Sequence, residues 1–200
     1  MPVTVDDKPL ATEELGLLTV GQVLAHLQQK ENRLVVHVLI DGQEPDLGRL
    51  GELRSAPVGG HTLYIETTEP RRMAIEVLAE IEKHLLDTDQ LRRDCVQLLR
   101  DSNTTRALEK LRGCFSTWQS AQEAVIKVAQ LLRIDLNRIT VDGRSFTDVM
   151  KEFAEQLRLI KSSLENRDFV SLIDTLVYET AETGQNWLAA IRSMRSAIGN

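Results

Sequence analysis

The chain reads as an α+β protein: a small strand-rich domain over residues 1–69, followed over residues 70–200 by an up-down four-helix bundle. Three observations predict this. Apolar residues alternate with period two in the first seventy positions and recur with period 3.6 afterwards. Pro70, suited to the first turn of a helix, stands where the period changes. Charge divides at the same place. Residues 1–69 hold five Lys/Arg and eleven Asp/Glu, the whole of the −6 net charge, whereas 19 of each balance from residue 70 onward.

The first domain is predicted element by element. Val3 and Val5 share one face of a short strand, and Asp6–Pro9 supplies a turn. A second extended stretch is expected from Leu10 to about Glu14. Thr19 caps a helix with Val20, Val23, Leu24 and Leu27 on its inner face, and Asn32 ends it. Leu34–Ile40 is the best strand, stopped by the Asp41–Gly42 turn, with Gln43–Pro45 as a brief return. A short segment over Leu47–Leu53 and a turn at Gly59–Gly60 lead to a closing strand, Leu63–Thr67.

The helical part follows. Met73, Val77, Leu78, Ile81, Leu85, Leu91, Cys95 and Leu98 make one stripe, on a single helix or on two that break near Thr88. After a reversal at Ser102–Asn103, a long shaft carries Leu108, Leu111, Phe115, Trp118, Gln122, Val125, Ala129 and Leu132 at steps of three and four. Ile134–Arg144 interrupts the pattern. Ser145 then caps a helix built on Phe146, Val149, Met150, Phe153, Leu157, Ile160 and Leu164. Asp168 caps the last one, with Phe169, Ile173, Leu176, Thr180, Thr183, Trp187, Ile191 and Met194 on its seam.

Two resemblances attach to these patterns. Val3-Thr-Val-Asp-Asp-Lys-Pro-Leu10, Thr19-Val20-Gly21-Gln22-Val23-Leu24 and Val36-His-Val-Leu-Ile-Asp-Gly42 make residues 2–68 resemble a β-grasp, or ubiquitin-like, domain, in particular its sulfur-carrier branch. That family ends in a free Gly-Gly whose carboxylate is activated. Here Gly59–Gly60 runs on into His61, so the resemblance implies the fold and not sulfur transfer or conjugation. Phe115-Ser-Thr-Trp118 through Asp135, and Leu164 through Asp174, look like segments of uncharacterised bacterial helical proteins. Those resemble, in architecture, the small helical chaperones of flagellar export. The implied function is to hold an amphipathic partner segment against an apolar groove.

The residues themselves supply little chemistry. His26, His37, His61 and His84 lack metal-ligand spacing, and the Asp135–Asn137 start of a calcium loop fails at Ile139 and Thr140. Neither a phosphate loop nor a nucleophile motif is present. No catalytic, cofactor or metal residue is therefore expected, and no cofactor. The acidic first domain disfavours nucleic acid, and no apolar run reaches the length of a membrane helix. Cys95 and Cys114 read as reduced, buried thiols in a cytoplasmic protein; the N-terminus lacks the regions of a secretory signal.

What remains is binding. Leu34–Ile40 is apolar on both faces, with Val35, His37 and Leu39 expected on the side that the domain's own helix does not cover. In the helical part, Gln122, Thr180 and Thr183 interrupt the seams, and Gly184 follows them in mid-helix. Val170 and Val177 lie off the main seam. The expected function is a non-enzymatic adaptor or export-type chaperone for a protein partner at Val35, His37, Leu39, Val170, Val177, Thr180, Thr183 or Gly184. The alternatives are a homo-oligomer assembled through the long helices, or a small ligand-binding protein or enzyme with an inter-domain pocket.

Overall fold

The computed structural model describes residues 3–199. The chain divides at Met73/Ala74 into two compact units.

The first unit is a mixed four-stranded sheet with one principal helix. Its elements are β1 (Val3–Val5), β2 (Lys8–Leu10), α1 (Val20–Gln29), β3 (Leu34–Ile40), the short helix α2 (Leu50–Ser55) and β4 (Leu63–Thr68). The strand order is β2-β1-β4-β3, with β1 and β4 parallel in the centre and the outer pairs antiparallel. Asp6 and Asp7 both take positive φ, so the β1–β2 hairpin closes in two residues. Val5 therefore pairs with Lys8, and the second strand is Lys8–Leu10 rather than the expected Leu10–Glu14. Thr19 and Gln22 form a reciprocal capping box at the start of α1. Val20, Val23 and Leu27 of α1 are buried with Val3, Val58, Leu63 and Ile65 in one apolar core. Gly21 lets α1 approach α2 closely, because a Cβ there would lie 2.8 Å from the Arg54 carbonyl oxygen.

A latch ties the β1–β2 turn and the α1–β3 connection to the end of β4. Asp6 accepts from the Thr67 backbone N–H at 2.7 Å, the Thr67 hydroxyl at 2.5 Å and Arg33 Nη2 at 2.9 Å. Partial burial pushes the Asp6 carboxyl up, but the Thr67 and Arg33 hydrogen bonds outweigh it and hold it below its ordinary value.

The second unit is helical. Helix α3 spans Pro70–Arg100 without a break at Thr88, and α4 spans Thr104–Leu132. A two-residue-per-strand hairpin, β5 (Thr140–Val141) and β6 (Arg144–Ser145), turns at Asp142–Gly143, both at positive φ. Ser145 caps α5 (Phe146–Glu165), and Asp168 caps α6 (Phe169–Asp174), each by accepting a backbone N–H three residues on. From α6 the chain passes through a π-helical turn, Thr175–Glu179, into α7 (Thr180–Gly199), with helical backbone at both joints.

Two apolar clusters form the core of this unit. One holds Leu78, Leu85, Trp118, Val125, Phe146, Phe153, Trp187 and Ile191, among others. The second holds Cys95, Leu99, Leu111, Ile160, Leu172 and Leu176. Along the chain, α3 and α5 run from the first cluster to the second, and α4 and α6–α7 run back. The α4 seam matches expectation at Leu111, Trp118, Val125 and Ala129, all buried, and differs between them: Ala107, Cys114, Ala121 and Val128 are also buried, whereas Leu108 is exposed and Gln122 is half-buried. Small residues take the inner positions because they let helices pack closely, and an apolarity pattern passes over them.

Candidate functional site

The open edge of the sheet is built by β3. It is an edge strand, paired with β4 on one side only. Asp41 and Gly42 both adopt positive φ, and the two-residue turn returns the chain so that Ile40 and Gln43 exchange both backbone hydrogen bonds, at 2.9 and 3.0 Å. The return would next bring Pro45 opposite Val38. Proline has no N–H to give, and the pairing stops after a single bridge. By the alternation of an antiparallel strand, the N–H and C=O of Val38 point to the same edge as those of Ile40. They face outward with no strand beside them among the described residues.

A bulge between Val35 and His37 resets the faces of β3. Val35 joins Val38 and Ile40 on the side packed against the core, while Val36 sits at the bulge with 45% of its surface exposed. The expected grouping of Val35 with His37 and Leu39 is therefore corrected. His37 and Leu39 pair with Glu66 and Tyr64 in the ladder, and Val35 belongs to the other face.

Beside the open edge lies a groove of about 390 Å³. Leu24, Val35, Val38, Pro45 and Leu53 give it apolar walls, and Gln28, His37, Glu44 and Arg54 give it a polar border. The surroundings are acidic. Glu44 meets His37 Nε2 at 3.1 Å, with Glu66 at 4.0 Å from Nδ1. Tyr64 donates toward Asp7 and Glu66, at 3.2 and 3.3 Å. Desolvation, followed by the Asp7 and Glu66 carboxylates, raises the Tyr64 phenol above its ordinary value. At the far end of β3, Asp41 accepts from Thr62 N–H and pairs with His61, both at 2.8 Å; the His61 bond first, then the Thr62 bond, lowers its carboxyl.

The helical candidates separate from one another. Val170 is 73% exposed on α6, and Val177 packs against the second apolar cluster from within the π turn. Thr180 and Thr183 are buried. They belong to a polar layer that lies between the two apolar clusters along every helix contributing to it. Thr88 and Arg92 on α3, and Gln156 on α5, complete it, all buried and none anticipated from sequence. Arg92 is 8% exposed. It holds Asp89 Oδ1 through Nε and Nη2, at 2.9 and 2.7 Å, and donates from Nη1 to the Leu176 carbonyl in the π turn at 2.6 Å. Gln156 donates to the Glu179 carbonyl at 3.2 Å and to the Thr183 hydroxyl. Thr88 donates to its own helix at His84 O and offers its carbonyl to the Cys114 thiol. One signal for these residues exists in sequence. The α3 seam 74-78-81-85 continues in steps of three and four through 88, 92, 95 and 99, so the period runs straight across the polar positions.

Among the described residues, no group of three His, Cys, Asp or Glu is arranged to hold a metal ion, and no helix is long and apolar enough to cross a membrane. No protein-family model matches the chain, and neither a curated protein nor a solved structure matches it.

Proposed function

We propose that the protein is a non-enzymatic protein-binding adaptor that takes an extended segment of another protein as an added strand along β3. With it we propose a β-grasp assignment for the first unit, supported by the parallel central pair and the single covering helix. An up-down four-helix bundle is proposed for the second, supported by the alternating passage of its helices between two clusters. The carrying observation is the unpaired edge of β3, released by Pro45 and bordered by an apolar groove. Strand addition supplies main-chain hydrogen bonds, and alternate side chains of the incoming strand enter the groove.

Charge selects the occupant. Glu44 and Glu66 both meet His37 of the edge strand, in the part of the chain that carries the entire net charge. A second copy would set these carboxylates against themselves, so a basic-flanked foreign segment is favoured over self-pairing. The helical reading has less support: Thr180 and Thr183 are buried and Val177 packs inward, which leaves Val170 as its one strongly exposed candidate.

The test is a titration of the full chain with a fluorescent peptide of alternating Val and Thr flanked by lysines. It is run beside the same peptide N-methylated at alternate residues. Binding of the first, weakened at least tenfold by methylation and by exchange of lysine for glutamate, is the expected result. Equal binding of plain and methylated peptides, or binding of neither, overturns strand addition.

A further inference from the structure

Gly184 lies within α7, where a glycine weakens the helix relative to alanine. No crowding requires it: a Cβ at this position meets no atom within 4 Å. Two small cavities adjoin it. One, of about 20 Å³, has Asp89, Arg92, Thr180 and Gln185 in its wall; the other, of about 10 Å³, has Trp187, and Gly184 borders both. Thr180 lines the first and Trp187 the second, and each residue carries an unpaired buried group. Thr180 Oγ1 and Trp187 Nε1 find no hydrogen-bond partner among the described residues, although each residue is only 3% exposed. Unpaired groups of this kind are costly and uncommon in folded proteins.

We propose that the partly open space left by the missing Gly184 side chain is a binding site for two ordered waters. The first hydrogen-bonds Thr180 Oγ1 and the polar wall formed by Asp89, Arg92 and Gln185. The second accepts from the Trp187 indole N–H and donates to the first. The volumes are on the scale of one water each. The smaller cavity is otherwise lined by apolar residues, so its water depends on the first for a second partner. A glycine without steric need, two cavities and two orphaned polar groups then have one common cause.

The experiment is water–protein NOE spectroscopy on the ¹⁵N-labelled full chain, whose two tryptophans give two assignable indole signals. A cross-peak of a long-lived water at Trp187 Nε1–H is expected. Gly184→Ala removes that cross-peak and lowers Tm despite its better helix propensity, whereas Gly184→Ser, which supplies a hydroxyl in place of a water, stays nearer to the parent. Absence of the cross-peak in the parent chain overturns the proposal, and so does a Gly184→Ala variant with raised Tm and an unshifted indole signal. If Gly184→Ala does not fold, the parent cross-peak alone decides.

Discussion

The two units keep their unmet hydrogen-bonding capacity in opposite places. In the first, the core is wholly apolar and the open groups lie on the surface, along the outer edge of β3. In the second, the helices close their own backbone, and polarity is sealed inside as the layer of Thr88, Arg92, Gln156, Thr180 and Thr183. An exposed strand edge stays available to an incoming chain. A buried polar layer instead restricts how its own helices can pair, since a shift of register would separate Arg92 from the Leu176 carbonyl and Gln156 from Thr183. One unit is thus suited to recruiting a partner and the other to holding a fixed arrangement.

The sharpest way to break this contrast is Arg92→Met. It removes the side-chain donor from the Leu176 carbonyl in the π turn and leaves Asp89 with Arg93 alone, with an expected loss of about 2–3 kcal/mol in urea unfolding. An unchanged midpoint would mean that the polar layer does not fix the helices. Alkaline pH probes the same core. Burial pushes Cys95 up to about 11 and Cys114 up to about 12, so both thiols stay protonated in the folded chain while unfolded thiols ionise from about pH 9. The unfolded state then binds fewer protons, and stability falls as pH rises above that value. The expected loss is about 2–3 kcal/mol at pH 10, and the Cys95→Ala/Cys114→Ala chain should lack this component.

Smaller effects belong to the first unit. Gly21→Ala forces a Cβ against the Arg54 carbonyl and should cost about 1–2 kcal/mol, weakening peptide binding as α2 moves at the groove. Thr19→Ala removes the capping box and should cost about 1 kcal/mol by thermal unfolding, with binding intact. Val36→Lys, at the exposed bulge, should change stability by less than about 0.5 kcal/mol. Its lysine guards the edge and should still reduce strand addition tenfold or more. That dissociation of binding from stability is what separates the open edge from the closed core.

Legibility in the sequence followed the same division. Caps at Thr19, Ser145 and Asp168 and the Asp41–Gly42 and Asp142–Gly143 turns were readable, because each depends on a few neighbouring residues. The bulge at Val36 was not: alternation assumes one residue per step, and one extra residue moved Val35 to the core side. On α4, Leu111, Trp118, Val125 and Ala129 lie on the buried seam as expected, but small side chains at Ala107, Cys114 and Ala121 took the places read one position on at Leu108, Phe115 and Gln122. Arg92 and Gln156 were passed over because polar side chains read as solvent-facing. Asp89 on the same helix and partners on other helices, the π-turn carbonyl and Thr183, make their burial tolerable. The open edge itself was half legible. Leu34–Ile40 announced a strand needing cover on two faces, but its place at the sheet edge depends on β4 inserting beside β1, a long-range pairing that no local pattern carries.

Strand addition along β3 would engage the outward N–H of Val38 first. Its amide exchange should be measured by NMR in the free chain and with a saturating amount of the lysine-flanked Val/Thr peptide. Fast exchange in the free chain, slowed at least tenfold by the peptide while the Val23 and Leu27 amides on α1 change little, is the predicted result. A Val38 amide already protected in the free chain, or one that the bound peptide leaves unprotected, would contradict the assignment of β3 as the docking edge.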